Sequence, residues 1–135
     1  MAQPPRDTKV GRRILVADDE PHIRRVLETL LELAGFEVDA VRNGAEALDR
    51  LADPSRDYAL VLTDLMMPEK SGLDVLSGVA ELEHRRGLPV IVLTAKGQDA
   101  DRERAVALGA TDFLTKPFSP KKLATRIVQI LDGDG

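Results

Sequence analysis

Four apolar runs of this sequence end in side chains that can hold a metal ion or contact a phosphoryl group. Two acids follow residues 14–17, a third acid ends residues 58–64, and the two later runs end at a threonine and a lysine. A carboxylate at the end of a buried strand is costly unless its chemistry is needed there. The carboxyl ends of parallel strands meet at one sheet edge, where ligands bind. We therefore expect one site built from Asp18, Asp19, Asp64, Thr94 and Lys116.

The composition predicts one soluble, cytoplasmic domain. The 135 residues suffice for a real core, while the net charge of -4 and the pI near 5.2 argue against nucleic-acid binding. No cysteine is present, and no apolar segment predicts a signal peptide or a membrane span. We expect a polar arm at 1–11, a domain at 12–132 and a tail at 133–135, with no output domain in this chain.

Strand-like and helix-like segments alternate along the chain. The predicted strands are 13–17, 36–40, 58–63, 89–94 and 112–115, and their continuous apolar character is typical of strands covered on both faces. The clearest helix begins near Pro21, has apolar residues at helical spacing, and stops at Gly35.

Four more helices are predicted: one after Asn43, one over 71–85, one over 99–108 with a thin apolar stripe, and one from Ser119. Five strand–helix units predict an α/β fold, a doubly wound parallel sheet with helices on both faces.

The ordered set of strand-end residues resembles the receiver domain of bacterial two-component response regulators. It comprises the Asp18–Asp19 pair, Asp64 in the segment LTDLMMP, Thr94–Ala95 and the KPF segment at 116–118, and the resemblance covers about residues 12–131. It implies a flavodoxin-like (βα)5 fold with strand order 2-1-3-4-5. It also implies a signalling switch that accepts a phosphoryl group from a histidine kinase or a phosphotransfer protein.

The resemblance assigns a role to each site residue. Asp64 is the phosphoryl acceptor, and Mg²⁺ is held by Asp19 and Asp64 directly, by Asp18 through water, and by the backbone carbonyl of Met66. Lys116 neutralises a phosphoryl oxygen after a cis bond to Pro117, and Thr94 hydrogen-bonds another. Phe113 is the aromatic switch. Met66 and Lys96 flank the approach of water, and neither can orient it, so we expect a phosphorylated state lasting minutes or longer.

The resemblance also indicates partners. The fourth helix, fifth strand and fifth helix would form the face that controls a downstream protein or output domain. DNA-binding relatives often dimerise through this face, but Thr111 and Lys122 stand where acids are usual, although Asp112 and Arg126 fit. We expect a monomer or a weak phosphorylation-dependent dimer, without direct nucleic-acid or membrane binding.

Several alternatives stay open. An aspartyl-nucleophile phosphatase would have a second acid two residues after the nucleophile, where Met66 stands, and no glycine-rich nucleotide loop follows the first strand. The chain could be a stand-alone receiver or the receiver module of a longer DNA-binding regulator. Taken singly, the acids could be helix caps, Lys116 a surface lysine and Phe113 a core residue. The arginine pairs 24–25 and 85–86 are interpreted as solvated helix faces.

Overall fold

Five short strands pair in parallel in the order β2-β1-β3-β4-β5, as predicted. The protein is represented by a computed structural model that describes residues 12–95 and 97–132. The division into arm, domain and tail stays a prediction, because 1–11 and 133–135 lie outside the described residues. The strands are β1 (Arg13–Ala17), β2 (Glu37–Val41), β3 (Leu60–Asp64), β4 (Val90–Thr94) and β5 (Asp112–Thr115).

Each strand is followed by a helix, and the helices cover both faces of the sheet. They are α1 (Pro21–Leu33), α2 (Gly44–Ala52), α3 (Gly72–Glu81), α4 (Asp99–Ala107) and α5 (Pro120–Leu131). Alternate strand residues pack against α1 and α5 on one face and against α2, α3 and α4 on the other. The central strands are therefore apolar on both sides, which explains their continuous hydrophobic runs. No helix of the described residues is both long and apolar enough to span a bilayer.

Three predicted strand starts were wrong: β2 begins at Glu37 rather than Phe36, β3 at Leu60 rather than Tyr58, and β4 at Val90 rather than Pro89. Phe36 is buried, but its N–H donates to the carbonyl of Leu31 at 3.0 Å, so it completes the end of α1 and β2 begins one residue later. Tyr58 precedes β3, which starts at Leu60, and its hydroxyl donates to the carboxylate of Asp39. Both residues are buried, but the N–H of Phe36 bonds to α1 and Tyr58 bonds through its side chain, so apolar character did not mark where the strands begin.

The predicted third helix was too long, and of the arginine pair at its predicted end Arg86 is solvated whereas Arg85 is not. The α-helix stops at Glu81, and a separate 3₁₀ turn covers Glu83–Arg85. Arg85 is only 5% exposed. Its guanidinium donates to the carbonyls of Leu51, Asp53 and Arg56 at 2.7–2.9 Å and lies 5.3 Å from the centroid of the Tyr58 ring. The turn carries this side chain beneath the end of α2.

We expect Arg85→Ala to lower the free energy of unfolding by about 3 kcal/mol, because buried carbonyl oxygens lose their donor. Arg86→Ala is the matched control, since Arg86 is exposed and adjacent in sequence. Urea unfolding followed by circular dichroism measures both variants. Equal losses of stability in the two variants would contradict the structural role of Arg85.

Candidate functional site

The predicted site residues meet at the carboxyl edge of the sheet. Asp18 and Asp19 follow β1, Asp64 ends β3, Thr94 ends β4 and Lys116 follows β5, and these four strands are consecutive neighbours in the sheet. One carboxylate oxygen from each acid lies within 4.8 Å of the others. The sheet order therefore gathers residues that are up to 98 positions apart in the chain.

Asp18 is the most firmly held member of the acid cluster. Its side chain is fully buried. One carboxylate oxygen accepts from the backbone N–H of Glu20 at 2.9 Å, and the other accepts from Lys116 Nζ at 3.1 Å. Arg24 donates to its backbone carbonyl at 2.8 Å. Arg24 therefore supports Asp18, and our interpretation of Arg24 as part of a solvated face was wrong. Its position in the first turn of α1, close after Asp18 in the sequence, could have indicated this contact.

Lys116 bridges two of the three carboxylates. Its Nζ lies 3.1 Å from Asp18 Oδ2 and 3.1 Å from Asp64 Oδ2. Its backbone N–H donates to the carbonyl of Thr94 at 2.7 Å, so β4 anchors the residue before the chain turns away. The Lys116–Pro117 peptide bond is cis, as predicted. Lys116 is therefore not an ordinary solvated surface lysine.

Burial and charge shift the ionisation of this group of residues. Burial and the neighbouring Asp18 raise the pKa of Asp64, and Lys116 only partly opposes this rise. Burial lowers the pKa of Lys116, but the charges and hydrogen bonds of Asp18 and Asp64 outweigh burial and raise it overall. Folding thus favours the protonated form of Asp64, so its ionisation as pH rises through the acidic range opposes folding. Additional positive charge at the cluster would relieve this cost.

The acid cluster fits a magnesium ion by its donor chemistry. Mg²⁺ prefers carboxylate, carbonyl and water oxygens and usually retains several waters. Here three carboxylates of graded exposure converge: Asp18 is buried, Asp64 is partly buried and Asp19 is exposed. One lysine amine does not balance three carboxylates, so a divalent cation is electrostatically compatible with the cluster.

Thr94 and Phe113 occupy neighbouring strands beside the acids. Thr94 is fully buried, and its hydroxyl lies 3.4 Å from the hydroxyl of Thr115, its register partner on β5. Phe113 is only partly buried, and the guanidinium of Arg102 lies 5.2 Å from its ring centroid. Thr115 and Arg102 were not singled out from the sequence, because only the β4–β5 register and the position of α4 bring them here.

Of the two residues predicted to flank the approach of water, Met66 and Lys96, only Met66 is among the described residues. Met66 has an exposed fraction of 56% and is among the few large apolar side chains open to solvent in the described residues. Lys96 lies outside the described residues, so its part of the prediction stays untested.

The sequence matches the response regulator receiver domain family over residues 14–128. It is 42% identical over 119 residues to the transcriptional regulatory protein CpxR homolog of Haemophilus influenzae, covering 88% of this chain and 50% of that protein. It is 38% identical over 122 residues to the transcriptional regulatory protein SrrA of Staphylococcus aureus, covering 90% and 48%. The chain thus spans about half the length of these curated relatives.

A solved structure shares the whole fold. The signal receiver domain of a signal transduction histidine kinase from Syntrophus aciditrophicus aligns with a TM-score of 0.83 and 32% identity, covering 91% of this chain and 92% of that one.

Proposed function

The chain belongs to the response regulator receiver domain family, and from this premise we propose that it is a phosphorylation-dependent signalling switch whose acceptor is Asp64. The observation that carries this proposal is the position of Asp64 at the end of β3, 3.1 Å from Lys116 and within 4.8 Å of two further carboxylates. The donor is the phosphohistidine of a sensor histidine kinase or phosphotransfer protein. The test is whether acetyl phosphate with Mg²⁺ adds a single phosphoryl group, read by intact-protein mass spectrometry.

The proposed chemistry is a phosphoryl transfer from nitrogen to oxygen. A carboxylate oxygen of Asp64 forms a bond to phosphorus while the phosphorus–nitrogen bond of the donor breaks, and the electron pair of that bond returns to the imidazole. Because a carboxylate is a weak nucleophile, alignment and charge neutralisation must supply the catalysis. Lys116 neutralises one phosphoryl oxygen, and the hydroxyl of Thr94 donates to another. The protein catalyses this transfer, and the loss of its own phosphoryl group, without turning over a separate substrate.

Mg²⁺ is the proposed cofactor, which Asp19, Asp64 and the backbone carbonyl of Met66 would hold directly and Asp18 through a bound water. When bound, it would neutralise negative charge on the phosphoryl oxygens and among the carboxylates.

We expect Asp19→Asn to weaken Mg²⁺ binding at least about tenfold, and more than Asp18→Asn does. Asp19 is exposed and can ligate a hydrated cation directly, whereas both oxygens of Asp18 already accept hydrogen bonds from Glu20 and Lys116. Isothermal calorimetry or NMR titration measures the affinities, since the protein has no tryptophan. Equal affinities of the two variants would contradict the assigned ligand roles.

The proposed output face comprises α4, β5 and α5. Phosphorylation would draw the Thr94 hydroxyl toward Asp64 and let Phe113 move inward, changing the surface beside it. Because the relatives are named transcriptional regulatory proteins, we favour control of transcription as the output, exerted through a partner protein or an output domain. The domain would act in the cytoplasm without touching nucleic acid itself.

The side chains of this face favour a monomer or a weak phosphorylation-dependent dimer. Arg126 pairs with Asp112 of the same chain. The hydroxyl of Thr111 accepts from the backbone N–H of Val90 at 3.0 Å, and Lys122 adds positive charge.

We expect the phosphorylated protein to persist for minutes or longer, and Met66→Asn to shorten its lifetime severalfold. Met66 is exposed and apolar, so it cannot orient the water that attacks phosphorus in line, whereas an amide can. Decay of labelled protein at constant Mg²⁺ measures the lifetime. Leu33→Asn is the control, because Leu33 is 83% exposed on α1 and outside the site. A wild-type half-life of a few seconds would refute the expectation.

A further inference from the structure

Residues 65–71 form the loop that follows the acceptor. The two ends of this loop are hydrogen-bonded to each other and lie against the backbone of Asp64. The N–H of Gly72 donates to the carbonyl of Leu65 at 2.9 Å, so the two ends of the loop meet. Leu65 is fully buried. A Cβ added to Gly72 would lie 2.6 Å from the carbonyl oxygen of Asp64. The shape of this loop is therefore coupled directly to the backbone that carries Asp64.

The loop contains two strained residues. Glu69 has φ of 60° and Lys70 has φ of 136°, and neither is a glycine. Side chains of L-residues disfavour positive φ, so such residues persist only where surrounding contacts hold them. Both side chains are exposed, so packing of the side chains does not supply that hold.

The contacts that hold the loop come from the first turn of α2. The N–H of Gly44 donates to the carbonyl of Lys70 at 3.0 Å, and the amide of Asn43 lies 3.5 Å from the carboxylate of Glu69. This turn is itself well fixed, because the Asn43 side chain accepts from the N–H of Glu46 at 2.8 Å. The start of α2 thus provides a firm support for a strained loop.

Only glycine allows this approach at position 44. An added Cβ would overlap the carbonyl oxygen of Lys70 and lie 2.6 Å from its carbonyl carbon and 2.7 Å from its Cβ. Gly44 is not among the residues with positive φ, so its own backbone conformation does not require glycine. The glycine therefore serves the contact with Lys70, which we call the clamp.

We propose that Gly44 is a positioning residue for the phosphoryl-acceptor site, acting through the clamp on the loop that carries Met66. The clamp would fix the Met66 backbone carbonyl relative to the three carboxylates and so set the Mg²⁺ affinity. This inference rests on the proposed function, because it takes Asp64 and the Met66 carbonyl as metal ligands.

The test compares Mg²⁺ affinities by calorimetry for wild type, Gly44→Ala and Gly78→Ala. Gly78 lies in α3, and a Cβ there would overlap only the end of the Leu48 side chain, so this control disturbs α2–α3 packing without touching the loop. We expect Gly44→Ala to bind Mg²⁺ about tenfold more weakly, as loss of an outer support does at other metal sites. Gly78→Ala should keep the wild-type affinity even where its thermal midpoint falls.

Wild-type protein that fails to bind Mg²⁺ would overturn the metal site itself. Wild-type affinity in folded Gly44→Ala, or equal weakening in both variants, would overturn the clamp alone. If Gly44→Ala does not fold, Lys70→Gly replaces it. We expect Lys70→Gly to weaken Mg²⁺ binding while its thermal midpoint equals or exceeds that of wild type, because the strain at φ of 136° is relieved as the loop becomes freer. Lys70→Gly keeps the backbone carbonyl that Gly44 contacts but frees the loop, so unchanged affinity in this variant would show that the shape of the loop does not set the Mg²⁺ affinity and would overturn the proposal.

Discussion

Asp64→Asn should reduce phosphorylation by acetyl phosphate by about a thousandfold or more, because it removes the attacking oxygen. Asn keeps the size of the side chain and can still accept a hydrogen bond from Lys116. It also removes one negative charge from a crowded cluster in which burial and Asp18 already raise the pKa of Asp64. The variant should therefore fold at least as well as wild type in the absence of Mg²⁺.

Intact-protein mass spectrometry after incubation with acetyl phosphate and Mg²⁺ reads the label directly. Asp49→Asn is the matched control, because Asp49 is an exposed acid on α2, away from the cluster. We expect this control to gain one phosphoryl group at the wild-type rate. Labelling of Asp64→Asn at the wild-type rate would show that another acid is the acceptor and would refute the assignment.

Lys116→Met should slow phosphorylation by about a hundredfold to a thousandfold, because it removes a preorganised positive charge from the phosphoryl site. Lys116 also neutralises Asp18, which is fully buried, and Asp64, whose side chain is 13% exposed. Removing one partner of a buried ion pair is strongly destabilising. We therefore expect the free energy of unfolding to fall by about 2–3 kcal/mol, part of which Mg²⁺ should restore.

Phosphorylation rates should be compared at saturating Mg²⁺ and at a temperature where circular dichroism shows that both proteins are folded. Lys121→Met is the matched control, since it removes the same charge from an exposed position on α5. Lys116→Arg tests geometry, because it keeps the charge on a larger planar group. A wild-type rate in Lys116→Met would eliminate Lys116 from the phosphoryl site.

Much of the fold and of the site could be predicted from the sequence, for one physical reason. Strands buried on both faces must be continuously apolar, so the polar residue that ends each run stands out. Parallel pairing then places these ends at one edge, whatever their separation in the chain. Asp18, Asp64 and Lys116 were therefore predicted to meet before any distance was known, and the structure brings them within hydrogen-bonding range.

Contacts of backbone groups across elements could not be predicted in this way. Arg85 reads as a surface residue, yet it bonds to three carbonyl oxygens near the end of α2. The sequence shows Gly44 only as the first residue of a helix, yet its N–H donates to the carbonyl of Lys70 in another loop. Backbone carbonyls carry no sequence signature, because every residue has one.

The sequence by itself determined which side chains gather at the sheet edge, and the tertiary structure decided what supports them there. The hydrophobic pattern depends on residue type, so the strands and their order along the chain can be predicted from the sequence. The supports are Arg24 on the carbonyl of Asp18, Thr115 beside the hydroxyl of Thr94, and the clamp. They depend on distances between backbone and side-chain atoms that exist only after the helices have packed onto the sheet.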